Sequence, residues 1–161
     1  MNWTDFVTNV KAWSTERGIY KHSNALMQTY KAISEFGELV DAVAKNDKEG
    51  IADGIGDVCV CLVNVAKLLG KEPRLPIKTT IYDDDAGLIA DTLLWLYGTV
   101  DNIRFIEPDD CLIAINRVAD NLKAIASNHG LFFEDCLQVA WDAIKDRKGF
   151  LSKSGVFIKE N

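Results

Sequence analysis

The stretch that decides the fold is residues 23–70, SNALMQTYKAISEFGELVDAVAKNDKEGIADGIGDVCVCLVNVAKLLG. Leu26, Tyr30, Ile33, Gly37, Val40 and Ala44 recur at steps of three and four, the period of one face of an α-helix. The spacing predicts a helix over 23–45, with Ser23 or Asn24 as its N-cap. Ile51, Ile55, Val58, Leu62, Val65 and Leu69 repeat the pattern up to Gly70, and Pro73 and Pro76 lie beyond it. The link over 45–50 is short, so the two helices are expected to fold back as an antiparallel hairpin.

The same rhythm extends outward. Trp3, Phe6, Val10 and Trp13 form a stripe that Gly18 stops. Three more begin at Ile89, Leu112 and Phe133 and run to Ile103, Ala126 and Ile144. Six helices with no alternating strand pattern before residue 150 predict an all-α bundle, a single domain over 1–161. Residues 71–85 are the longest unpatterned connection. The tail, FLSKSGVFIK over 150–159, predicts a short extended segment, either a small hairpin or an arm on a neighbouring molecule.

A chain of 161 residues that is 48% hydrophobic can bury a core without disulfide or metal staples. Its cysteines, Cys59, Cys61, Cys111 and Cys136, form no CxxC pair and are expected to be reduced, buried thiols. No signal-peptide pattern opens the chain, and no run approaches the ~20 apolar residues of a membrane span. A cytoplasmic protein is expected. The net charge of −6, from 24 acids against 18 Lys and Arg, argues against nucleic acid or an anionic membrane as partner. An anionic small molecule remains open to an acidic protein that holds a metal cation.

The acids are unevenly placed. Glu35 and Glu38 share a flank of the first hairpin helix, with Lys31 one turn before Glu35. Alone, they read first as a solvated face. On the second helix, Asp53 and Asp57 are one turn apart, and Asn64 continues their line two turns on. That helix is almost entirely apolar from 55 to 69, so Asp57 enters a water-poor region and needs a partner. A basic residue from elsewhere would serve; so would a metal. Four carboxylates against Lys31, with no paired His or Cys, suit Mg²⁺ or Mn²⁺ better than zinc.

Gln28-Thr-Tyr-Lys31-Ala-Ile-Ser34-Glu35-Phe-Gly-Glu38-Leu, followed by Asp53-Gly-Ile-Gly-Asp57-Val, resembles the MazG family of all-α nucleoside triphosphate pyrophosphohydrolases. That family carries EExxE, a spacer and ExxD on two antiparallel helices. Residues 140–159 resemble the C-terminal part of small MazG-like proteins of bacteriophages, which would place the chain in a host cytoplasm. Glu35 matches the second glutamate, Glu38 the third and Asp57 the aspartate. Ser34 stands at the first glutamate and Gly54 at the glutamate of ExxD, where Asp53 is the substitute ligand.

The resemblance implies Mg²⁺-dependent cleavage of an NTP or dNTP to the monophosphate and pyrophosphate, by a homodimer or homotetramer. Glu35, Glu38, Asp53 and Asp57 would hold metal, and Glu35 or Glu38 would act catalytically. Lys31 is a candidate phosphate contact, and Asn64 a candidate for a sugar or a metal-held water. Lys145, Arg147 and Lys148 form either a phosphate clamp, one that could serve another subunit, or a cluster matched to a helix C-terminus. A dUTPase-like, dCTPase-like or phosphoribosyl-ATP pyrophosphohydrolase activity is an alternative. Ser34 and Gly54 also leave open a non-catalytic module that binds nucleotide or protein.

Overall fold

The chain was analysed as a computed structural model that describes residues 1–77, 81–152 and 157–159. Among these residues seven helices form: α1 (Trp3–Glu16), α2 (Ile19–His22), α3 (Ala25–Ala44), α4 (Lys48–Leu68), α5 (Asp85–Phe105), α6 (Pro108–Asn128) and α7 (Phe133–Ile144). The all-α reading holds. The short α2 was not expected; Gly18, in the left-handed region at φ 71°, turns the chain into it. The tail pairs β1 (Gly149–Leu151) with β2 (Phe157–Lys159) antiparallel, Phe150 opposite Ile158. It is the hairpin of the two options, and its turn lies outside the described residues, as do 78–80 of the 71–85 connection.

Local chemistry sets the hairpin. Asn24 caps α3, its side chain accepting from the Met27 amide at 2.9 Å. Asp47 caps α4 through the Gly50 amide at 3.2 Å. Between them Asn46 takes φ 52°, a left-handed turn that asparagine tolerates. The antiparallel hairpin follows.

Helix α4 is the axis of the bundle. It is buried on almost every side from Ile51 to Ala66, with α1, α3, α6 and α7 packed around it. Two glycines permit this approach. A methyl group on Gly56 would sit 2.4 Å from Ala140 Cβ and 2.6 Å from the Cys136 carbonyl, so α7 lies against bare backbone. Gly54 does the same for α3. Helices α5 and α6 make a second hairpin, α5 reaching α3 and α6 reaching α4. Buried Asp120 on α6 ties down the preceding connection, accepting from Arg74 Nη1 at 2.9 Å and from the Ile77 amide at 2.8 Å.

One expectation is corrected. The apolar stripe through Leu26, Tyr30 and Ile33 is not the inner face of α3. That face is Ala25, Thr29, Ala32, Phe36 and Leu39, with Glu35 among them, while Tyr30 is 47% and Ile33 37% exposed. That face mixes small Ala25, Thr29 and Ala32 with large Phe36 and Leu39, so fit against the neighbouring helices, rather than apolar size alone, selects it over Tyr30 and Ile33. All four cysteines are buried and unpaired. No described helix is long and apolar enough to cross a membrane.

Candidate active site

Two adjoining cavities open along the α3–α4 groove. The first, about 440 Å³, is rimmed by Glu35, Glu38, Asp53 and Asp57, with Ser34 and Gly54 on its wall. All four candidate carboxylates therefore face one space. Register explains it: Glu35 and Glu38 lie one step apart on α3, Asp53 and Asp57 one turn apart on α4, and the antiparallel hairpin sets the pairs opposite each other.

Their environments differ. Glu35 is 8% exposed and ion-paired with Lys31, the i,i+4 partner expected from the sequence. Glu38 and Asp53 are exposed and Asp57 is half-buried. None of these three has a hydrogen-bond or ion-pair partner among the described residues. Burial, then the neighbouring charges of Asp53 and Glu35, push the Asp57 carboxyl up to about 7, against a weaker pull from Arg147 and Lys31. The groove holds more negative charge than its protein surroundings neutralise.

The donor set is all oxygen, and its surplus charge is what a hard divalent cation relieves, so its chemistry fits Mg²⁺ or Mn²⁺. Among the described residues, however, no three Asp, Glu, His or Cys side chains are drawn together as a metal cage. The carboxylates rim the cavity instead.

The second cavity, about 260 Å³, shares Glu35 and Asp57 with the first and continues to Lys31, Gln28, Asn64 and Arg147. Trp13, Ile19, Met27 and Ile144 supply apolar wall. Asn64 is buried at its floor, its Oδ1 accepting from Ser14 Oγ at 2.7 Å and from the Tyr20 hydroxyl at 2.8 Å.

The basic cluster after α7 divides. Arg147 lines the second cavity of its own chain, and its buried Nε has no hydrogen-bond partner among the described residues. Arg17 holds it in place, donating from Nη2 to the Arg147 carbonyl at 2.9 Å and stacking 4.7 Å from the Trp13 ring. Lys145 is exposed and paired with Asp142 at 2.6 Å, and Lys148 is exposed; neither lines either cavity.

Trp13, Ser14, Arg17 and Tyr20 were not anticipated at the site. One signal was available: Ser14 follows Val7 and Val10 on the buried face of α1, a hydroxyl interrupting an apolar stripe. Arg17 and Tyr20 lie beyond the periodic run, where spacing is uninformative.

Comparison with known proteins bears on the same hairpin. Over 61 residues the chain is 39% identical to an uncharacterized 18.2 kDa protein of the rep-hol intergenic region of Haemophilus phage HP1 (strain HP1c1). The match covers 38% of this chain and 37% of the phage protein, so the chain spans little more than a third of that relative's length. No solved structure matches. Residues 24–83, which contain α3, α4 and the acid-rimmed groove between them, match the family model of the MazG nucleotide pyrophosphohydrolase domain.

Proposed function

We propose that the chain cleaves a nucleoside triphosphate, NTP or dNTP, between the α- and β-phosphates, giving the monophosphate and pyrophosphate with Mg²⁺. The observation that carries this reading is the single cavity rimmed by Glu35, Glu38, Asp53 and Asp57, with the Asp57 carboxyl pushed up to about 7 by burial and by unneutralised negative charge. The family match over the same residues supports it.

Glu35, Glu38, Asp53 and Asp57 would hold the ion. When bound, Mg²⁺ would neutralise phosphate oxygens and acidify the attacking water. Glu35 is the candidate general base: one of its oxygens is taken by Lys31, which leaves the other to accept a proton. Glu38, exposed and unpaired among the described residues, would share that work. Lys31 and Arg147 line the second cavity and would meet phosphate oxygens, Arg147 with a planar donor array.

A homodimer or homotetramer is part of this reading. Tyr30 and Ile33 on α3, with Leu93, Leu94 and Tyr97 on α5, are large exposed apolar side chains that support it. Light scattering at micromolar concentration tests it, and a monomer would count against it.

The deciding assay is pyrophosphate release from a panel of NTPs and dNTPs, with and without Mg²⁺. Metal-dependent release is expected, abolished by Glu38→Gln and by Asp57→Asn while circular dichroism stays helical. Unchanged turnover in both variants would remove these carboxylates from the site. No turnover on any nucleotide would favour the non-catalytic binding module.

A further inference from the structure

We infer that the second cavity reads the imide edge of a base, the carbonyl, N–H and carbonyl of uracil or thymine, through Gln28 and Asn64. The preferred substrate is then a uridine or thymidine triphosphate. The triphosphate half rests on the function proposed above; the base half rests on hydrogen-bond bookkeeping in this cavity.

Both amides are buried, Asn64 at 1% and Gln28 at 7% exposure, and both line the cavity. Ser14 and Tyr20 donate to Asn64 Oδ1 and use both of its lone pairs. Burial pushes the Tyr20 phenol up to about 12, so it stays a donor at physiological pH. The amide is thereby oriented: Asn64 Nδ2 points to Gln28 and donates to its Oε1 at 3.3 Å. Gln28 Nε2 in turn donates to Ser23 Oγ at 3.0 Å. Ser14, Tyr20 and Ser23 thus brace the amide chain from behind.

What remains unused decides the reading. Asn64 keeps one N–H, Gln28 Oε1 keeps one lone pair, and Gln28 Nε2 keeps one N–H. In order along the chain they are donor, acceptor, donor. Uracil and thymine present acceptor, donor, acceptor. Cytosine presents donor, acceptor, acceptor; guanine presents acceptor, donor, donor; adenine offers an amino donor where a carbonyl is needed. Each mismatch leaves a buried polar group unpaired, which a site built on hydrogen bonds rejects by at least about tenfold. Trp13, Ile19 and Met27 supply apolar wall for the ring faces, and Glu35 and Asp57 connect the cavity to the carboxylates.

The test compares kcat/KM of the full chain with Mg²⁺ on dUTP, dTTP, dCTP, dATP, dGTP and N3-methyl-dUTP. Binding of deoxyuridine and deoxycytidine without metal is followed separately by NMR. Uracil and thymine substrates should exceed the others at least about tenfold, and N3 methylation should erase that advantage. Gln28→Glu, which replaces the N–H donor with an acceptor that would face a uracil carbonyl, should likewise erase that advantage. If that variant does not fold, the wild-type comparison with N3-methyl-dUTP decides alone. Equal kcat/KM across bases would overturn the inference and leave the pyrophosphohydrolase reading standing. Preference for cytosine would mean that the amides face the opposite way, and would overturn it. Deoxyuridine bound over deoxycytidine without turnover of any nucleotide would support the pocket and overturn the catalytic reading. Neither binding nor turnover would overturn both.

Discussion

Gly54 of α4 lies directly against Leu39 of α3: a methyl group on Gly54 would sit 2.9 Å from Leu39 Cβ and 3.0 Å from its Cα. This is where the MazG pattern has a glutamate. Any side chain here must push the two helices apart, and the carboxylates of the groove move with them. Asp53, one residue earlier and exposed on the groove, contributes the acid without the clash.

Gly54→Ala is therefore expected to destabilise, although alanine favours helix by about 1 kcal/mol over glycine. Overpacking of this kind costs about 1–3 kcal/mol. A fall in Tm of several degrees by calorimetry, and a larger fall for Gly54→Glu, are the expected results. A Gly54→Glu protein with gained activity and unchanged Tm would show that the helices separate freely.

The hairpin and its acids were legible because they rest on period and spacing, which α3 and α4 obey. The inner face of α3 was not. Hydrophobic size pointed to Tyr30 and Ile33, but the seam is chosen by how closely two backbones approach, a property of the pair. For the same reason Glu35, which the spacing places on a flank with Glu38, is buried beside Phe36. The second cavity was legible through Lys31, Glu35, Asp57, Asn64 and Arg147; the hydroxyls of Ser14 and Tyr20 that hold Asn64 were not, because they come from α1 and α2, distant in sequence.

Asp57 makes stability depend on pH in the metal-free protein. Its carboxyl titrates at about 7 in the fold, against an ordinary aspartate value of 3.8, so the folded state binds the extra proton between those values. Stability must then fall as pH rises from about 4 to 7, by on the order of 2–4 kcal/mol from this group. Urea midpoints measured in EDTA at pH 5 and pH 8 should differ in that sense. Asp57→Asn should flatten the difference by raising the pH 8 midpoint; a variant less stable than wild type at pH 8 would contradict it.

Divalent cations should reverse that trend. A cation among the carboxylates displaces the Asp57 proton, so its affinity grows with pH. Addition of Mg²⁺ or Mn²⁺ is expected to raise Tm more at pH 8 than at pH 5.5, by the usual ligand linkage. The increment should shrink sharply in Asp57→Asn. Equal increments at both pH values would place the ion elsewhere.

At the end of α5, Ile106 adopts φ 62° and ψ 50°, a left-handed conformation costly for a β-branched residue. It is 81% exposed, so little packing depends on it. Ile106→Gly or Ile106→Asn should stabilise by about 1 kcal/mol, read as an upward shift in the urea midpoint. A loss of stability would mean that the isoleucine side chain makes a contact that outweighs its backbone strain.

Arg147 and Lys145 are two residues apart, yet the fold separates their roles. Arg147 lines the cavity beside Asp57, with a buried Nε unpartnered among the described residues and a carbonyl held by Arg17. Lys145 is engaged by Asp142 at the surface. If a triphosphate occupies the cavity, Arg147→Ala should raise KM about tenfold or more, because the planar donor array is lost from a partly desolvated site. Arg147→Lys should recover only part of this, since a point charge cannot reproduce the paired donors. Lys145→Ala should stay within about twofold of wild type, surface ion pairs being worth ~1 kcal/mol or less. Equal effects at the two positions would favour the helix-terminus explanation of the basic cluster, in which both act only through the end of α7.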